Sequence, residues 1–431
     1  MASIFENYPL ELLEMIFQHL RRQPYSFYSL ALTCRKFYII TTPTLYSSIC
    51  LTNPVSSEKL ARTLQQNSWL SSLVLELQVH FHPPQTDQTH DTLLDAIVQM
   101  PNLESLALRS VPLKGILEPK NHRLLSKLVR DKDNVQIESP TQYVGQRLRS
   151  LYLGAAFTRY HGDGWLLDAN EVVFYMEQLE KLHIQGAHIE NLRPDLFAAI
   201  LPSRKTALQD LSLLNCHILP DTLGQILAFP DGLTRFTMKG SWPDPSGRFT
   251  SWEYSHIVYP HQYIEKFKES SSAGLEYLDL HLWYPGSLPD YDSLDCLKHL
   301  GILVLPLHVY EAVGVNELSA AVPIPSLPAS LETLTLHGFI PVSISFGSLV
   351  ERVEAGQLPN LRAVTYQKLY GQDQEKTGEQ TEEDWQNDIK SLRKLGVELS
   401  IASRPGSSII LPENDNWPCQ CWIFDLEMAW W

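Results

Sequence analysis

Hydrophobic positions along the chain follow two different periods. In the first 50 residues, Leu10, Leu13, Ile16, Phe17 and Leu20 recur at helical spacing and form one apolar stripe. Pro9 stands where a helix can begin, because its missing N–H costs nothing in a first turn. Pro24 ends the segment. A second apolar run holds Phe27, Leu30, Ala31 and Leu32, and a third holds Phe37, Tyr38, Ile39 and Ile40. The third is expected to stop at Pro43. The pattern predicts a small three-helix module over residues 1–50 and a second domain over 51–431. Three short helices enclose little apolar volume, so such a module needs a partner or a neighbouring domain.

From about residue 68 the period changes, and L-x-x-L-x-L or a variant keeps returning. The copies are Leu70/Leu73/Leu75, Leu103/Leu106/Leu108, Leu148/Leu151/Leu153, Leu179/Leu182/Ile184 and Leu208/Leu211/Leu213. Leu233/Phe236/Met238, Leu275/Leu278/Leu280, Leu297/Leu300/Ile302, Leu331/Leu334/Leu336 and Leu361/Val364/Tyr366 continue the series. The alternation at the end of each copy predicts a strand. Helical segments are predicted between copies at 91–100, from Asn170 towards Gln178, at 194–200, 221–228, 346–355 and 382–395, with Gly356 and Gly396 as C-caps. Repetition of helix, loop and strand predicts an α/β solenoid, with a parallel concave sheet and helices on the convex side. A doubly wound enzyme fold is disfavoured, because its strands are continuous Val/Ile runs and its ligand loops are glycine-rich. Insertions are expected near 113–147 and 239–274, and 371–384 reads as a solvated acidic loop. Residues 417–431 hold four of the ten tryptophans and are expected to pack as a cap on the last repeat.

Side chains between the leucines are expected to line the concave face. They include Arg109, Tyr152, Lys181, His183, Gln185, Asp210, Arg235, Lys239, Tyr277, Asp279, His281, His299 and His337. Arg109, Tyr152, Lys181, His183, Arg235, Lys239, Tyr277 and Asp279 are the candidate contacts for a protein substrate. The lysines and arginines among them favour acidic or phosphorylated segments.

Charge and composition remove several function classes. The net charge of −15 offers no clustered basic face for nucleic acid and disfavours anionic membranes. No run of about 18 apolar residues occurs. Glu6, Glu11 and Glu14 interrupt any leader-like start, and no N-x-[ST] sequon is present. Four of the six cysteines are scattered singly, so no disulfide framework is expected and the reading is cytosol or nucleus. His80, His82 and His90 lack a completing Cys or carboxylate cluster beyond Asp87 and Asp91, and Cys419/Cys421 is no zinc signature; no metal or cofactor is expected. No G-x-S-x-G elbow, P-loop or G-x-G-x-x-G occurs, and no enzymatic chemistry is expected.

The N-terminal residues Tyr8-Pro9-x-Glu11-Leu12-Leu13-x-x-Ile16-Phe17-x-x-Leu20, Leu30-Ala31-Leu32-x-Cys34-Arg35-x-Phe37-Tyr38 and Pro43-x-Leu45-Tyr46 together resemble the F-box. Tyr8 departs from the usual leucine before the proline. The repeat region is similar to the irregular leucine-rich repeats of fungal-type F-box proteins, without a regular Asn or Cys ladder. The resemblance implies that the module docks on the adaptor subunit of an SCF-type ubiquitin ligase through Pro9, Leu10, Leu13, Ile16, Phe17, Leu20, Leu30, Leu32 and Phe37. Through the adaptor it implies cullin and RING subunits, with the repeats holding a substrate. Catalysis would then be proximity alone, a target lysine held near a charged E2. Two alternatives remain open: an F-box scaffold outside ubiquitination, and a plain repeat protein whose first helices are only a cap.

Overall fold

The computed structural model describes residues 8–20, 24–81, 87–111, 147–155, 165–168, 172–190, 205–214, 216–239, 260–270, 274–281, 294–295, 297–306, 324, 326–339, 346–370 and 385–405. The chain begins with α1 (Leu10–Leu20), α2 (Pro24–Ala31) and α3 (Arg35–Ser47). Pro43 does not stop the third helix, as the sequence had suggested, but lies inside it. Thr41 and Thr42 in the preceding turn donate their hydroxyls to the carbonyls of Phe37 and Tyr38, at 2.7 and 2.6 Å. The missing N–H removes one bond, and the helix continues because the tertiary setting outweighs that local cost.

No linker separates the module from the sheet. Helix α3 runs directly into β1 (Ser48–Leu51), so the expected boundary at residue 50 falls inside a strand. Strand β1 pairs in parallel with β2 (Glu76–His80). Further strands are β3 (Ser105–Val111), β4 (Ser150–Ala155), β5 (Trp165–Asp168), β6 (Lys181–Gln185), β7 (Ala187–Glu190), β8 (Asp210–Leu214) and β9 (His217–Ile218). They continue with β10 (Arg235–Lys239), β11 (Tyr277–His281), β12 (Ile302–Pro306), β13 (Thr333–Phe339), β14 (Ala363–Tyr370) and β15 (Glu398–Pro405). Twelve of these strands form one open parallel sheet in the order β1-β2-β3-β4-β6-β8-β10-β11-β12-β13-β14-β15. Among the described residues β5, β7 and β9 make a second, three-stranded parallel sheet. Gly186, with φ of 75°, forms the corner between β6 and β7, a backbone region that other residues adopt only with strain.

The register places like residues side by side. One row reads Ile49, Leu77, Leu106, Leu151, Leu182, Leu211, Phe236, Leu278, Leu303, Leu334, Val364 and Leu399. A second row, two residues on in each strand, runs from Leu51 to Ile401. Apart from Ile49 and Ile401, both rows are buried, and they share one apolar core with the helices. Those helices are α4 (Pro54–Gln66), α5 (Ser68–Leu73), α6 (Asp87–Val98), α7 (Pro220–Leu227), α8 (Pro260–Glu269), α9 (Gly347–Glu354) and α10 (Gln386–Lys394). A fully buried leucine stabilises by about 1.5–3 kcal/mol, so these two rows are the main source of stability. Aromatic pairs fasten helices to strands: Phe236 meets Phe267 edge-on at 4.8 Å, and Tyr366 meets Trp385 at 5.6 Å.

A backbone motif links successive coils. The carbonyl just before a strand accepts two consecutive N–H groups from the next coil. Leu75 O receives Glu104 N at 2.8 Å and Ser105 N at 3.0 Å, and the same fork recurs at Glu104, Arg149, Glu180, Gln209, Thr234, Glu276, Gly301 and Glu332. Helices α9 and α10 end at Gly356 (φ 69°) and Gly396 (φ 83°). After each glycine the next N–H reaches back five residues, Gln357 to Arg352 at 3.0 Å and Val397 to Leu392 at 2.9 Å.

Several expectations shift. In the first copy, Leu70 and Leu73 belong to α5, and the inward residues are Val74, Leu77 and Val79, while Leu75 is exposed. The Leu297/Leu300/Ile302 copy is out of phase by three; Leu300, Leu303 and Leu305 point inward. The helix expected after Asn170 is only a 3₁₀ turn, Val172–Tyr175. The 239–274 stretch is not wholly an insertion, since Lys239 closes β10 and α8 puts Tyr263, Ile264 and Phe267 into the core. The helix at 194–200, the loop at 371–384, the tail from 417, and residues 113–146 and 240–259 lie outside the described residues.

Phe236→Ala should lower stability by about 3–5 kcal/mol, read as a lower urea midpoint, because it removes the ring that joins β10 to α8. Thr335→Ala, on the opposite face and only half buried, should shift the midpoint far less.

Candidate functional site

Two surfaces carry the candidate residues: the outside of the three-helix module and the sheet face opposite the leucine rows. Among the described residues the module's own core is very small. Leu13 and Phe37 are buried in it, with Leu30, Cys34, Ile40 and Leu45 packed around them. Lys36 Nζ ties α3 to the start of α1 by donating to Tyr8 O at 2.8 Å. Leu13 and Phe37, read from the sequence as docking residues, therefore turn inward. Pro9, Ile16 and Leu32 are exposed and Leu30 is half-buried. The side chains of Leu10, Phe17 and Leu20 lie outside the described residues.

The outer surface is unusually apolar. Tyr8, Leu12, Met15, Ile16, Tyr28, Leu32, Tyr38 and Ile39 are all exposed, with Leu32 at 71% and Tyr28 at 62%. Among the described residues these are eight of the fourteen exposed large hydrophobic side chains, crowded into residues 8–39. Single exposed apolar residues are ordinary; a concentration of them marks an interaction surface. The sequence reading missed Leu12, Met15, Tyr28, Tyr38 and Ile39 as outward residues. The available signal was that α1 is apolar on more than one side: Leu12, Leu13, Met15 and Ile16 fall 100° apart per residue and cannot all face one small core.

The second face of the large sheet is polar but largely buried. Its middle row reads Cys50, Gln78, Ala107, Tyr152, His183, Ser212, Thr237, Asp279, Val304, Thr335, Thr365 and Ser400. The expected substrate contacts Arg109, Tyr152, His183, Lys239 and Asp279 do lie on this face, yet each is buried, between 3% and 6% exposed. They are not an open surface, which corrects the sequence expectation. Lys181 is exposed, and Arg235 and Tyr277 are partly so. Gln185 and Asp210 also lie on this face. His299 falls before β12 and is not on the sheet, while the side chains of His281 and His337 lie outside the described residues.

A chain of polar contacts crosses β8, β10 and β11. Asp210 Oδ2 is 3.6 Å from Arg235 Nε, and the Arg235 guanidinium lies 4.3 Å over the Tyr277 ring. Tyr277 donates its hydroxyl to Asp279 Oδ2 at 3.3 Å, and the same oxygen meets Lys239 Nζ at 3.0 Å. Burial, and then the Asp279 carboxylate, push the Tyr277 phenol above its ordinary pKa, so it stays a donor at physiological pH. Further along the face, Arg109 lies 5.6 Å over the Tyr152 ring, and Tyr152 donates to Gln185 Oε1. Burial raises the Tyr152 phenol as well. Two of the four expected cations are thus matched by Asp210 and Asp279.

Among the described residues no three His, Cys, Asp or Glu side chains gather as metal ligands, and no helix is long and apolar enough to cross a membrane. His82 and the side chain of His90 lie outside the described residues, as do Cys419 and Cys421. His80 is buried, with its Nε2 2.8 Å from Gln78 Nε2.

Lys239→Met leaves the Asp279 carboxylate buried without its cation and should cost about 3–5 kcal/mol, read in urea unfolding. The pair variant Lys239→Met/Asp279→Leu should be markedly more stable than Lys239→Met alone. Equal losses in the two would show that the ion pair is not what holds this part of the face.

Residues 5–52 match the family model described as F-box-like. No curated protein matches the chain. The chain thus carries an F-box-like domain at residues 5–52, and the described part of that segment is the module whose outward side chains are apolar.

Proposed function

We propose that the chain is the substrate-recognition subunit of an SCF-type E3 ubiquitin ligase. The F-box-like segment docks on the adaptor subunit, and through it the chain joins the cullin and RING subunits. The sheet domain, read as an irregular leucine-rich-repeat horseshoe of fungal type, selects the protein substrate. The observation that carries this reading is the coincidence of the family match at 5–52 with the crowd of exposed apolar side chains between Tyr8 and Ile39. F-box domains bind SCF adaptors, and a surface of this kind loses solvent-exposed apolar area only on binding.

The chain itself does no covalent chemistry in this proposal. It shortens the distance between a target lysine and the charged E2. The direct passage from α3 into β1 supports that role, because it couples the docking helices to the sheet without a flexible spacer. The compartment is cytosol or nucleus.

The test is adaptor capture by the intact chain and by two classes of variant. Ile16→Asp/Leu32→Asp places charge on exposed positions and should reduce captured adaptor at least tenfold with an unchanged circular dichroism spectrum. Leu13→Asp should also abolish capture, but by unfolding the module. An intact chain that captures no adaptor would sink the ligase reading and leave a plain repeat scaffold.

A further inference from the structure

Among the described residues the large sheet is open, so it has two edge strands, β1 and β15. They differ in length. Strand β1 has four residues, Ser48–Leu51, and β15 has eight, Glu398–Pro405. Edge strands are commonly kept short or studded with charge and proline, because their unpaired backbone groups invite another strand. In β15 the charges are Glu398 at the start and Arg404 near the end, and the stretch between them, Leu399-Ser400-Ile401-Ala402-Ser403, is uncharged. The pairing also shows which backbone groups are left over. Glu398 N–H donates to Arg362 O at 2.8 Å, on the β14 side. The register with β14 runs unbroken from Ala363 beside Glu398 to Tyr370 beside Pro405. Backbone groups alternate in direction along a strand. Glu398, Ser400, Ala402 and Arg404 therefore bond to β14, and the N–H and C=O groups of Leu399, Ile401 and Ser403 point outward. Among the described residues no backbone group meets them there. Glu398 and Ser400 are exposed and Ile401 is half-buried, so these side chains also have area left for a neighbour.

We propose that β15 pairs antiparallel with β15 of a second copy of this chain, with Ile401 opposite Ile401 on the two-fold axis. Outward-pointing residues must face outward-pointing residues, so the axis passes through a residue and not between two. The longest overlaps are then centred on Ser400, Ile401 or Ala402. Centring on Ser400 sets Glu398 opposite Ala402, and centring on Ala402 sets Arg404 opposite Ser400. Centring on Ile401 sets Glu398 of each copy opposite Arg404 of the other. Both opposite-charge pairs then fall at non-hydrogen-bonded positions, where facing side chains lie closest. The same register makes Ile401 with Ile401, and Leu399 with Ser403, the hydrogen-bonded pairs. The edge is thus complementary to itself in charge and in hydrogen bonding, which is what selects a second copy. A two-fold contact closes at two chains, whereas β15 against the short β1 of another copy would propagate without closing. The pairing joins two sheets into one, with the docking modules at its two far ends. It does not depend on the ligase reading.

The experiment uses the intact chain alone, without adaptor or substrate. Sedimentation equilibrium at tens of micromolar protein should show a dimer that dissociates on dilution. Glu398→Arg and Arg404→Glu should each weaken the dimer about tenfold, because each reverses one charge in both ion pairs. Glu398→Arg/Arg404→Glu should recover the original affinity. Ser403→Pro removes an outward N–H and spares every bond to β14, so it should weaken association with an unchanged circular dichroism spectrum. Hydrogen exchange distinguishes a second copy from a strand of the same chain: the amides of Leu399, Ile401 and Ser403 should slow as protein concentration rises. Three results would each overturn the proposal: a chain that stays monomeric, protection of these amides at every concentration, or a dimer that the double charge reversal fails to restore.

Discussion

Everything beyond the first three helices depends on a single backbone constraint, the carbonyl that accepts two neighbouring N–H groups from the next coil. It recurs from Leu75 to Glu332 and fixes the start of each strand against the strand before it. Once the starts are level, alternation does the rest: every second side chain enters the leucine rows and the others face away. A slip of one residue would bring Ser212 or Asp279 into the apolar core. The fork therefore protects the burial of the whole row, which no single leucine could do.

The two faces of the sheet are stabilised by different physics. On the helix side the residues are interchangeable in kind, and Phe236, Val364 or Met238 replaces leucine without altering the plan. On the second face the residues are individual. Asp210, Arg235, Tyr277, Asp279 and Lys239 alternate in charge and hold one another by ion pairs, a stacked guanidinium and a phenol donor. Replacing any one removes a directed contact from its neighbour, and at Lys239 and Asp279 it does so in a poorly solvated place. Such a face suits recognition, because its shape is set by directed bonds rather than by packing alone.

Most of the sheet was legible in the sequence, and the errors have physical causes. The copies at Leu106, Leu151, Leu182, Leu211, Leu278 and Leu334 were read in register because alternation and spacing agree there. At Leu70 and Leu297 the leucines recur every three residues, so a helical turn or a loop imitates the repeat and the phase slips. Strand β1 was missed because its copy reads Tyr46-x-x-Ile49-x-Leu51, and β15 because Val397 stands one place away from the expected leading leucine. The docking module was legible as a motif, but the division of α1 into inward Leu13 and outward Leu12 and Ile16 was not. That division depends on where α3 lies, which no local pattern encodes. Burial of Arg109 and Lys239 was equally hidden, since alternation tells which face a side chain takes and nothing about what lies over that face.

The absence of a spacer between α3 and β1 makes the molecule a ruler. Each coil added to the sheet advances the next strand by about 4.8 Å from the docking helices. On the proposed function, a cargo held at β11 would sit at a set reach from the anchor, and one held at β4 closer by a fixed number of steps. Gain or loss of a whole coil would retune that reach without touching either the anchor or the grip.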